Sequence, residues 1–398
     1  MILGILYMGH FSELSISMNE GPHISKLDKN ICADCVIDIA LKLVVNKHLS
    51  SKVCDYCEER NEETLIASKF DVVMKRIYES VTKEYSDAQD VDIPWVDHEW
   101  LVDQLYIQEI LEDFDPGWDG QFLEDVADCF EPNIHWVKHS GGDWTIDDPS
   151  KTLMYGWQSF KDQVLTKTRY LFLAEPEDEY SSARPDYIPV ASMLDALGHT
   201  CIKEDLVQII PAGTVFYRVR HAPKKDSYSN FAEMGVPPVG EASAGRMNPA
   251  GISYLYLAYD KETAEKEVLE WSGRWFTAKY QAKVEIPIID FSILPGIPSI
   301  FEPELYESRH NSYFLHAFIK DLTAPVSKDG KEHVDYVPTQ IVSEYFRYKF
   351  KSEGGKGVQA IKYPSVKDHG GVNLAVFSSN NKELEDVFEL LKIKEHKK

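Results

Sequence analysis

Four of the six cysteines occur as two closely spaced pairs. Cys32 and Cys35 form one C-x2-C, Cys54 and Cys57 form a second, and 18 residues separate the pairs. Each C-x2-C turn presents two sulfurs to one metal, and two such pairs match the four-thiolate tetrahedron of a structural zinc site. A closed shell of four thiolates leaves no position for water. The pattern therefore predicts zinc that stabilises the fold and takes no part in catalysis.

A second set of chemistry-bearing residues lies in the C-terminal half, in separated blocks: an arginine on a predicted strand, an Arg-x-Asn-Pro-x-Gly turn, a strand with aromatics and a helix with a glutamate. The blocks are FYRVR (216–220), GRMNPAG (245–251), YLYLAY (254–259), TAEKEV (263–268), GVQAIKYPS (357–365) and GGVNLAVF (370–377). In order and spacing they resemble the RES domain, named for its Arg, Glu and Ser. The double C-x2-C and the helices after it are similar to the HEPN/RES N-terminal domain.

The RES resemblance implies an α+β fold similar to diphtheria-toxin-like ADP-ribosyltransferases, with NAD as a substrate that is consumed. It implies a toxin or defence effector that depletes NAD or transfers its ADP-ribose, by hydrolysis, phosphorolysis or ADP-ribosyl transfer. Matching these blocks to the family pattern implies that the catalytic residues are Glu267, Arg218 and Ser365. It implies that the NAD-binding residues are Arg218, Arg246 and Tyr256, with Tyr217 and Asn248 as lesser candidates.

The chemistry of nicotinamide release suits these residue types. Loss of neutral nicotinamide leaves an oxocarbenium-like ribose, which a nearby carboxylate such as Glu267 stabilises. Planar guanidinium groups suit the pyrophosphate. Tyr256 or Tyr217 offers a flat surface to a ring, and the Ser365 hydroxyl can bond the ribose or the carboxamide.

Each residue also has a plain structural interpretation. Glu267 lies among other acidic residues, and by itself it would be interpreted as a solvent-exposed charge on a helix. Arg218 would be interpreted as a structural ion with a partner in an apolar strand. Tyr256 reads as core and Ser365 as a turn residue. The chain also departs from the family pattern: Met247 stands where many relatives have tryptophan, and about a hundred residues separate Glu267 from Ser365.

Charge and missing motifs exclude several other functions. The net charge is −23, and residues 81–150 hold 19 acidic side chains against two lysines. A chain with this charge is not expected to bind nucleic acid as its main function, because affinity for nucleic acid comes mainly from neutralising phosphates. There is no GxGxxG, Walker A, HExxH or GxSxG motif. No apolar run approaches the roughly 18 residues of a membrane span, and metal-binding, unoxidised thiols favour a cytoplasmic protein.

The chain is predicted to contain three parts, whose helices and strands position the candidate site residues. Residues 1–62 hold the zinc knuckle, 63–185 form an acidic, mainly helical HEPN-like domain, and 186–398 form the RES domain. Apolar periodicity predicts helices at Glu63–Tyr85, Trp100–Asp113, Phe122–Phe130, Trp157–Phe172, Glu262–Trp271 and Thr339–Phe350. Strands are predicted at Thr214–Val219, Ser253–Leu257, Tyr280–Ile289, Gly357–Tyr363 and Val372–Phe377.

Two other functions stay open on the sequence. One is a zinc-ribbon nucleic-acid-binding protein or RNase regulator with a non-catalytic C-terminal scaffold. The other is an assembly subunit that binds NAD or ADP-ribose as a signal without turnover. A cognate antitoxin or trigger protein, self-association and the acceptor of ADP-ribose are likewise open.

Overall fold

The computed structural model describes residues 27–114, 117–118, 120–174, 184–222, 227–268, 273–326, 332–378 and 380–397. The chain divides into two compact units. Unit 1 comprises the residues up to Asp148 together with Pro298–Arg309, and unit 2 comprises Pro149–Ile297 and His310–Lys398. The first 26 residues of the predicted zinc-knuckle segment lie outside the described part.

Within its described residues, unit 1 combines short strands with four α-helices. Its strands are β1 (Asn30–Cys32), β2 (Leu49–Ser51), β3 (Ala67–Lys69), β4 (Tyr85–Asp87), β5 (Trp95–Val96), β6 (Glu99–Trp100) and β7 (Trp136–Lys138). Its helices are α1 (Ile39–Lys47), α2 (Phe70–Glu84), α3 (Ile107–Phe114) and α4 (Gly120–Ala127). The three-stranded sheet β1-β3-β2 carries the cysteine pairs, and β4 pairs with β7.

Helix α2 illustrates how the apolar pattern builds this unit. Phe70, Val73, Met74 and Ile77 recur at helical spacing and are fully buried, so one face of α2 packs into the core. The predicted helix begins too early, at Glu63. Residues 67–69 instead form β3, which pairs with both β1 and β2.

A segment from the C-terminal half completes the core of unit 1. Phe301 is fully buried, its ring stacked on Trp118 with centroids 5.6 Å apart and set against Phe114 at 5.9 Å. Arg309 forms a buried ion pair with Glu84. Residues 298–309 are therefore part of this unit, although 149 residues (149–297) separate them from the rest of it.

Unit 2 is built on an eight-stranded sheet. Its strands are β8 (Val207–Ile210), β9 (Val215–His221), β10 (Tyr254–Ala258), β11 (Arg274–Ala282), β12 (Ile286–Asp290), β13 (Ala360–Pro364), β14 (Val372–Phe377) and β15 (Phe388–Lys397). The order is β15-β11-β9-β10-β14-β13-β12-β8, antiparallel except for the β12–β13 pair. The ladder between β9 and β10 has one pair only, Tyr217 with Ala258, so these two strands fork.

Helices cover the sheet of unit 2 on both faces. They are α5 (Pro149–Asp162), α6 (Met193–Lys203), α7 (Phe231–Met234), α8 (Lys261–Val268), α9 (Tyr306–Leu322), α10 (Glu332–Asp335), α11 (Val337–Tyr348) and α12 (Asn381–Val387). One large core joins α5, α6, α9 and α11 to sheet residues that include Tyr254, Ile289 and Tyr363. A second core forms on the alternate residues of the same strands, such as Leu255, Ile288 and Leu374.

The predicted α+β class is confirmed, and most predicted elements of unit 2 are present. The strand Val372–Phe377 has the predicted bounds, and Asp260 caps α8 by accepting from the Thr263 amide at 2.8 Å. The single strand predicted at Tyr280–Ile289 is in fact the end of β11, a turn and β12. Among the described residues, no helix has the length and apolarity to cross a membrane.

Candidate functional site

The four paired cysteines meet at one point in unit 1. The Sγ atoms of Cys32 and Cys35 lie 3.7 Å apart, those of Cys32 and Cys57 3.7 Å, and those of Cys35 and Cys54 3.6 Å. All four sulfurs lie within 4.8 Å of one another. The amide of Cys32 also donates to Cys54 Sγ at 3.3 Å. The predicted ligands thus form a cluster that could hold a metal ion.

The dimensions of this cluster fit a four-thiolate metal site. Zinc–sulfur bonds of about 2.3 Å in a tetrahedron separate the sulfurs by about 3.8 Å, close to the observed spacing. Burial raises the pKa of the Cys32 thiol to about 11, and burial raises the pKa of Cys35 further. Cys32 and Cys35 therefore form thiolates only at a cost that a divalent cation would offset.

Glu267 is held by two hydrogen-bond donors from unit 2. It lies near the end of α8, and its Oε1 accepts from Ser365 Oγ at 2.6 Å and from Asn373 Nδ2 at 2.7 Å. Ser365 follows β13, and Asn373 is a buried residue of β14. The structure therefore brings Glu267 and Ser365 together, 98 positions apart in the chain.

The loop after Ser365 fastens α8 in place. Asp368 accepts from Thr263 Oγ1 and from Lys266 Nζ, each at 2.7 Å, and Lys367 Nζ donates to the Glu267 carbonyl at 2.7 Å. A Cβ at Gly371 would collide with Thr263 Oγ1, so glycine permits this close approach. The backbone that carries Glu267 is consequently fixed by several contacts.

Arg218 occupies the fork between β9 and β10. Its Nη1 donates to the Tyr256 carbonyl at 2.9 Å, and its buried Nε has no hydrogen-bond partner among the described residues. Burial lowers the pKa of this guanidinium to about 10. A cation kept in so poorly solvated a position favours an incoming anion.

Arg246 caps the end of a helix. Its Nη1 donates to the Leu322 carbonyl at 2.6 Å and its Nη2 to the Ala324 carbonyl at 3.0 Å, at the C-terminus of α9. The guanidinium also lies 5.2 Å from the centre of the Tyr336 ring. A cation at a helix C-terminus is favourable, so these contacts hold Arg246 in a defined orientation.

Tyr256 and Asn248 belong to one hydrogen-bonded turn. The Tyr256 hydroxyl donates to Asn248 Oδ1 at 2.6 Å and accepts from the Met247 amide at 3.1 Å. A Cβ at Gly245 would lie 2.8 Å from this hydroxyl, which explains the glycine. Asn248 Nδ2 donates to the carbonyls of its own turn, such as Ile252 at 2.8 Å. Asn248 therefore shapes the turn that carries Arg246.

Electrostatic interactions connect three of the predicted residues to two tyrosines, the partly buried Tyr256 and the buried Tyr363. Burial raises the pKa of Tyr256, and the charges of Arg218 and Arg246 lower it. Burial raises the pKa of Tyr363 well above its usual value, Glu267 raises it further, and Arg246 lowers it. Among the described residues, Arg218, Arg246 and Glu267 form no hydrogen bond or ion pair with one another. Arg246 influences both tyrosines, whereas Arg218 influences Tyr256 and Glu267 influences Tyr363.

One row across the sheet lies beneath α8. Tyr217 pairs with Ala258, Ala258 with Asn373, and Asn373 with Tyr363, so these four residues share a face. The predicted Tyr217 thus shares a row with the residue that binds Glu267. Arg218 is the next residue of β9 and leaves from the other side of the strand. Its guanidinium bonds the Tyr256 carbonyl, which is outside this row.

Sequence reasoning missed Asn373 and Tyr363. Both fall inside quoted blocks, GGVNLAVF and GVQAIKYPS, where a polar residue within an apolar strand was the available signal. Gln340, in the predicted helix Thr339–Phe350, also contributes by donating from Nε2 to the Gly245 carbonyl at 2.8 Å.

A separate cavity lies elsewhere in unit 2. It has a volume of about 440 Å³, and its lining includes Asp205, Ile209, Tyr259, Asp290 and Lys362. Lys362 is paired with Asp290 at 2.7 Å. None of the predicted site residues lines this cavity, and since Lys362 and Tyr363 are adjacent in β13, they point to opposite faces.

Comparison with protein families gives two matches. Residues 47–178 match HEPN/RES N-terminal domain 1, and residues 215–394 match the RES domain. The second match contains Arg218, Arg246, Tyr256, Glu267 and Ser365. No curated protein and no solved structure matches the chain.

Proposed function

Because this chain is a RES-domain protein with a HEPN/RES N-terminal domain, and such proteins are associated with NAD-related toxin systems, we propose that it consumes NAD. The reaction is cleavage of the bond between nicotinamide and ribose. The observation that carries the proposal is the setting of Glu267. This carboxylate has one oxygen held by Ser365 and Asn373. It raises the pKa of the buried Tyr363, which Arg246 lowers, and Arg246 shares with Arg218 an effect on the pKa of Tyr256.

The carboxylate supplies the main chemical effect. When the C–N bond breaks, its electron pair leaves with nicotinamide, and the ribose C1 becomes electron-poor. A fixed negative charge beside C1 stabilises that state without any proton transfer to the leaving group. The acceptor oxygen then bonds C1 and loses its proton. Glu267 Oε2, which accepts no hydrogen bond among the described residues, is the oxygen available to the ribose.

The arginines supply positive charge for the pyrophosphate. Arg218 Nε is buried and free of partners among the described residues, so an anion in the fork would gain a strong hydrogen bond there. Arg246 has five N–H donors, and two of them bond the end of α9. The roles of Arg218 and Arg246 are thus binding roles, with Tyr256 holding the turn between them.

The cysteine cluster has a structural role in this proposal. Zinc bound by Cys32, Cys35, Cys54 and Cys57 would cross-link β1 to the turn after β2 and stabilise unit 1. All four ligand positions are thiolates, so the ion supplies no chemistry to the reaction. Free cysteines throughout the described residues support a reducing, cytoplasmic setting.

The biological role follows from NAD loss. A chain that depletes NAD stops growth, so we propose a toxin or antiviral-defence effector that an antitoxin or its own N-terminal unit restrains. Water, phosphate and a macromolecule remain the three candidate acceptors. A non-turnover signal subunit would instead bind NAD without nicotinamide release.

Nicotinamide release from NAD tests the proposal. The purified full chain is incubated with NAD in buffer alone, with inorganic phosphate and with cell extract, and the ADP-ribose product is identified in each. Glu267→Gln should lower release at least 100-fold. Glu265→Gln is the matched control on the same helix, because Glu265 pairs with Lys261 at 3.0 Å and not with the site. Equal release by wild type and Glu267→Gln would reject the assignment.

A further inference from the structure

Two side chains donate hydrogen bonds to Glu267 Oε1, and the family pattern assigns a role to only one of them, Ser365. We propose that Asn373 is a positioning residue that, together with Ser365, occupies Glu267 Oε1 and so presents Oε2 to the ribose. The inference rests on the proposed function. It assigns Asn373 a role in the reaction and limits Ser365 to the same positioning role.

The hydroxyl of Ser365 has no capacity left for substrate. Its single proton goes to Glu267 Oε1 at 2.6 Å. Its oxygen accepts from the amides of Lys367 at 3.2 Å and Asp368 at 3.1 Å. A hydroxyl has one proton to give and two lone pairs. Ser365 is therefore saturated, and contact with ribose or carboxamide would require it to release Glu267 or its own turn.

Asn373 has little freedom to adopt another arrangement. It lies inside β14, where it pairs with Ala258 on one side and Tyr363 on the other, and only 7% of it is exposed. A carboxylate can only accept, so the amide nitrogen must face Glu267. Asn373 Nδ2 is 2.7 Å from Oε1. A rigid strand thus fixes the donor, and the donor fixes the carboxylate.

Two donors on one oxygen leave the carboxylate asymmetric. Oε1 is shared by Ser365 and Asn373, whereas Oε2 accepts no hydrogen bond among the described residues. The Glu267 carboxylate also forms no ion pair within that part of the chain, since the Lys367 ammonium bonds the backbone carbonyl of Glu267 and not its side chain. A preorganised, uncompensated charge of this kind is what stabilisation of a developing cation requires.

The substitution Asn373→Asp tests this role through a pH profile. The new carboxyl, when protonated, can donate to Oε1 as the amide does. When both carboxyls are ionised, they repel each other at hydrogen-bond distance. Nicotinamide release by the variant should therefore approach the wild-type rate at pH 5.5 and fall at least 30-fold relative to wild type by pH 8.5. Asn373→Ala should lower kcat 10- to 100-fold at every pH, with KM changed less than threefold.

Asn311→Asp is the matched control. Asn311 is also a buried asparagine of unit 2, and its Nδ2 donates to Glu204 Oε1 at 2.8 Å, away from the site. Its variant should show no alkaline loss of activity. An Asn373→Asp profile parallel to wild type, or Asn373→Ala with wild-type kcat, would overturn the inference while leaving NAD cleavage intact. Absence of nicotinamide release by the wild type would overturn the proposed function and this inference together.

Discussion

Removal of the charge on Arg218 should stabilise the fold while it abolishes NAD cleavage. The perturbation is Arg218→Met, which keeps most of the side-chain volume and removes the guanidinium. In the wild type this group is partly buried in the fork between β9 and β10, its Nη1 bonds the Tyr256 carbonyl, and its Nε is unpaired among the described residues. In the proposed function this charge serves binding, at a cost to stability.

The magnitude follows from the pKa. Burial lowers the pKa of Arg218 from its ordinary value to about 10, which corresponds to about 3 kcal/mol against the charged form. Partial exposure of the side chain reduces this figure, and loss of the Nη1 hydrogen bond costs about 1 kcal/mol. We expect Arg218→Met to raise the free energy of unfolding by about 1 kcal/mol at pH 7.5.

The stability gained by Arg218→Met should depend on pH in a defined direction. The folded-state pKa lies below the unfolded value, so the folded protein pays the full cost of the charge below about pH 10. The cost declines as the pH rises from about 10 towards the ordinary pKa of an arginine. The advantage of Arg218→Met should therefore shrink between pH 7.5 and pH 10.5.

Urea unfolding at the two pH values, with nicotinamide release measured in parallel, checks this prediction. ADP-ribose, the expected product, should raise the melting temperature of wild type and not of Arg218→Met. A variant that is less stable by 2 kcal/mol or more, or that still cleaves NAD at the wild-type rate, would refute the account of Arg218.

Two further predictions concern unit 1. Elemental analysis should find one zinc per chain, and Cys35→Ser or a strong chelator should remove it and lower the melting temperature of unit 1; full stability without metal would contradict a structural site. Phe301→Ala should destabilise unit 1 by about 3–5 kcal/mol in urea, because its fully buried ring contacts Trp118 and Phe114. The control Leu305→Ala, at a residue 39% exposed in the same segment, should change stability little, and equal effects of the two would contradict the packing described.

The apolar patterns in the sequence predicted those helices and strands that depend mainly on residues close together in the chain. The short β-rich run of residues 372–377 predicted the strand with its bounds, and the apolar spacing of residues 70–78 predicted the core face of α2. β15 was missed because its sequence, FELLKIKEHK, is charged as expected for an edge strand, and its partner β11 is more than 100 residues away. Nothing local indicates that residues 298–309 complete the core of unit 1, since Phe301 gains its contacts only through tertiary packing.

The candidate site shows the same division. Cysteine spacing predicted the four-sulfur cluster because each C-x2-C already brings two sulfurs together. Glu267 and Ser365 were assigned through the family resemblance, and the structure adds that they are hydrogen-bonded. Two features of the site could not be predicted, the fully used hydrogen-bonding capacity of the Ser365 hydroxyl and the donor role of Asn373. Both depend on strand register and loop geometry, which a single sequence does not reveal.

NAD binding and nicotinamide release by Glu267→Gln test the central claim most directly. Calorimetry on this variant measures NAD affinity without interference from turnover, and a nicotinamide assay measures residual cleavage. The account predicts that Glu267→Gln binds NAD within threefold of the wild-type KM and releases nicotinamide at least 100-fold more slowly. Cleavage at the wild-type rate, or binding lost in Glu267→Gln and kept in Arg218→Met, would contradict a site in which the arginines bind and the carboxylate stabilises the ribose cation.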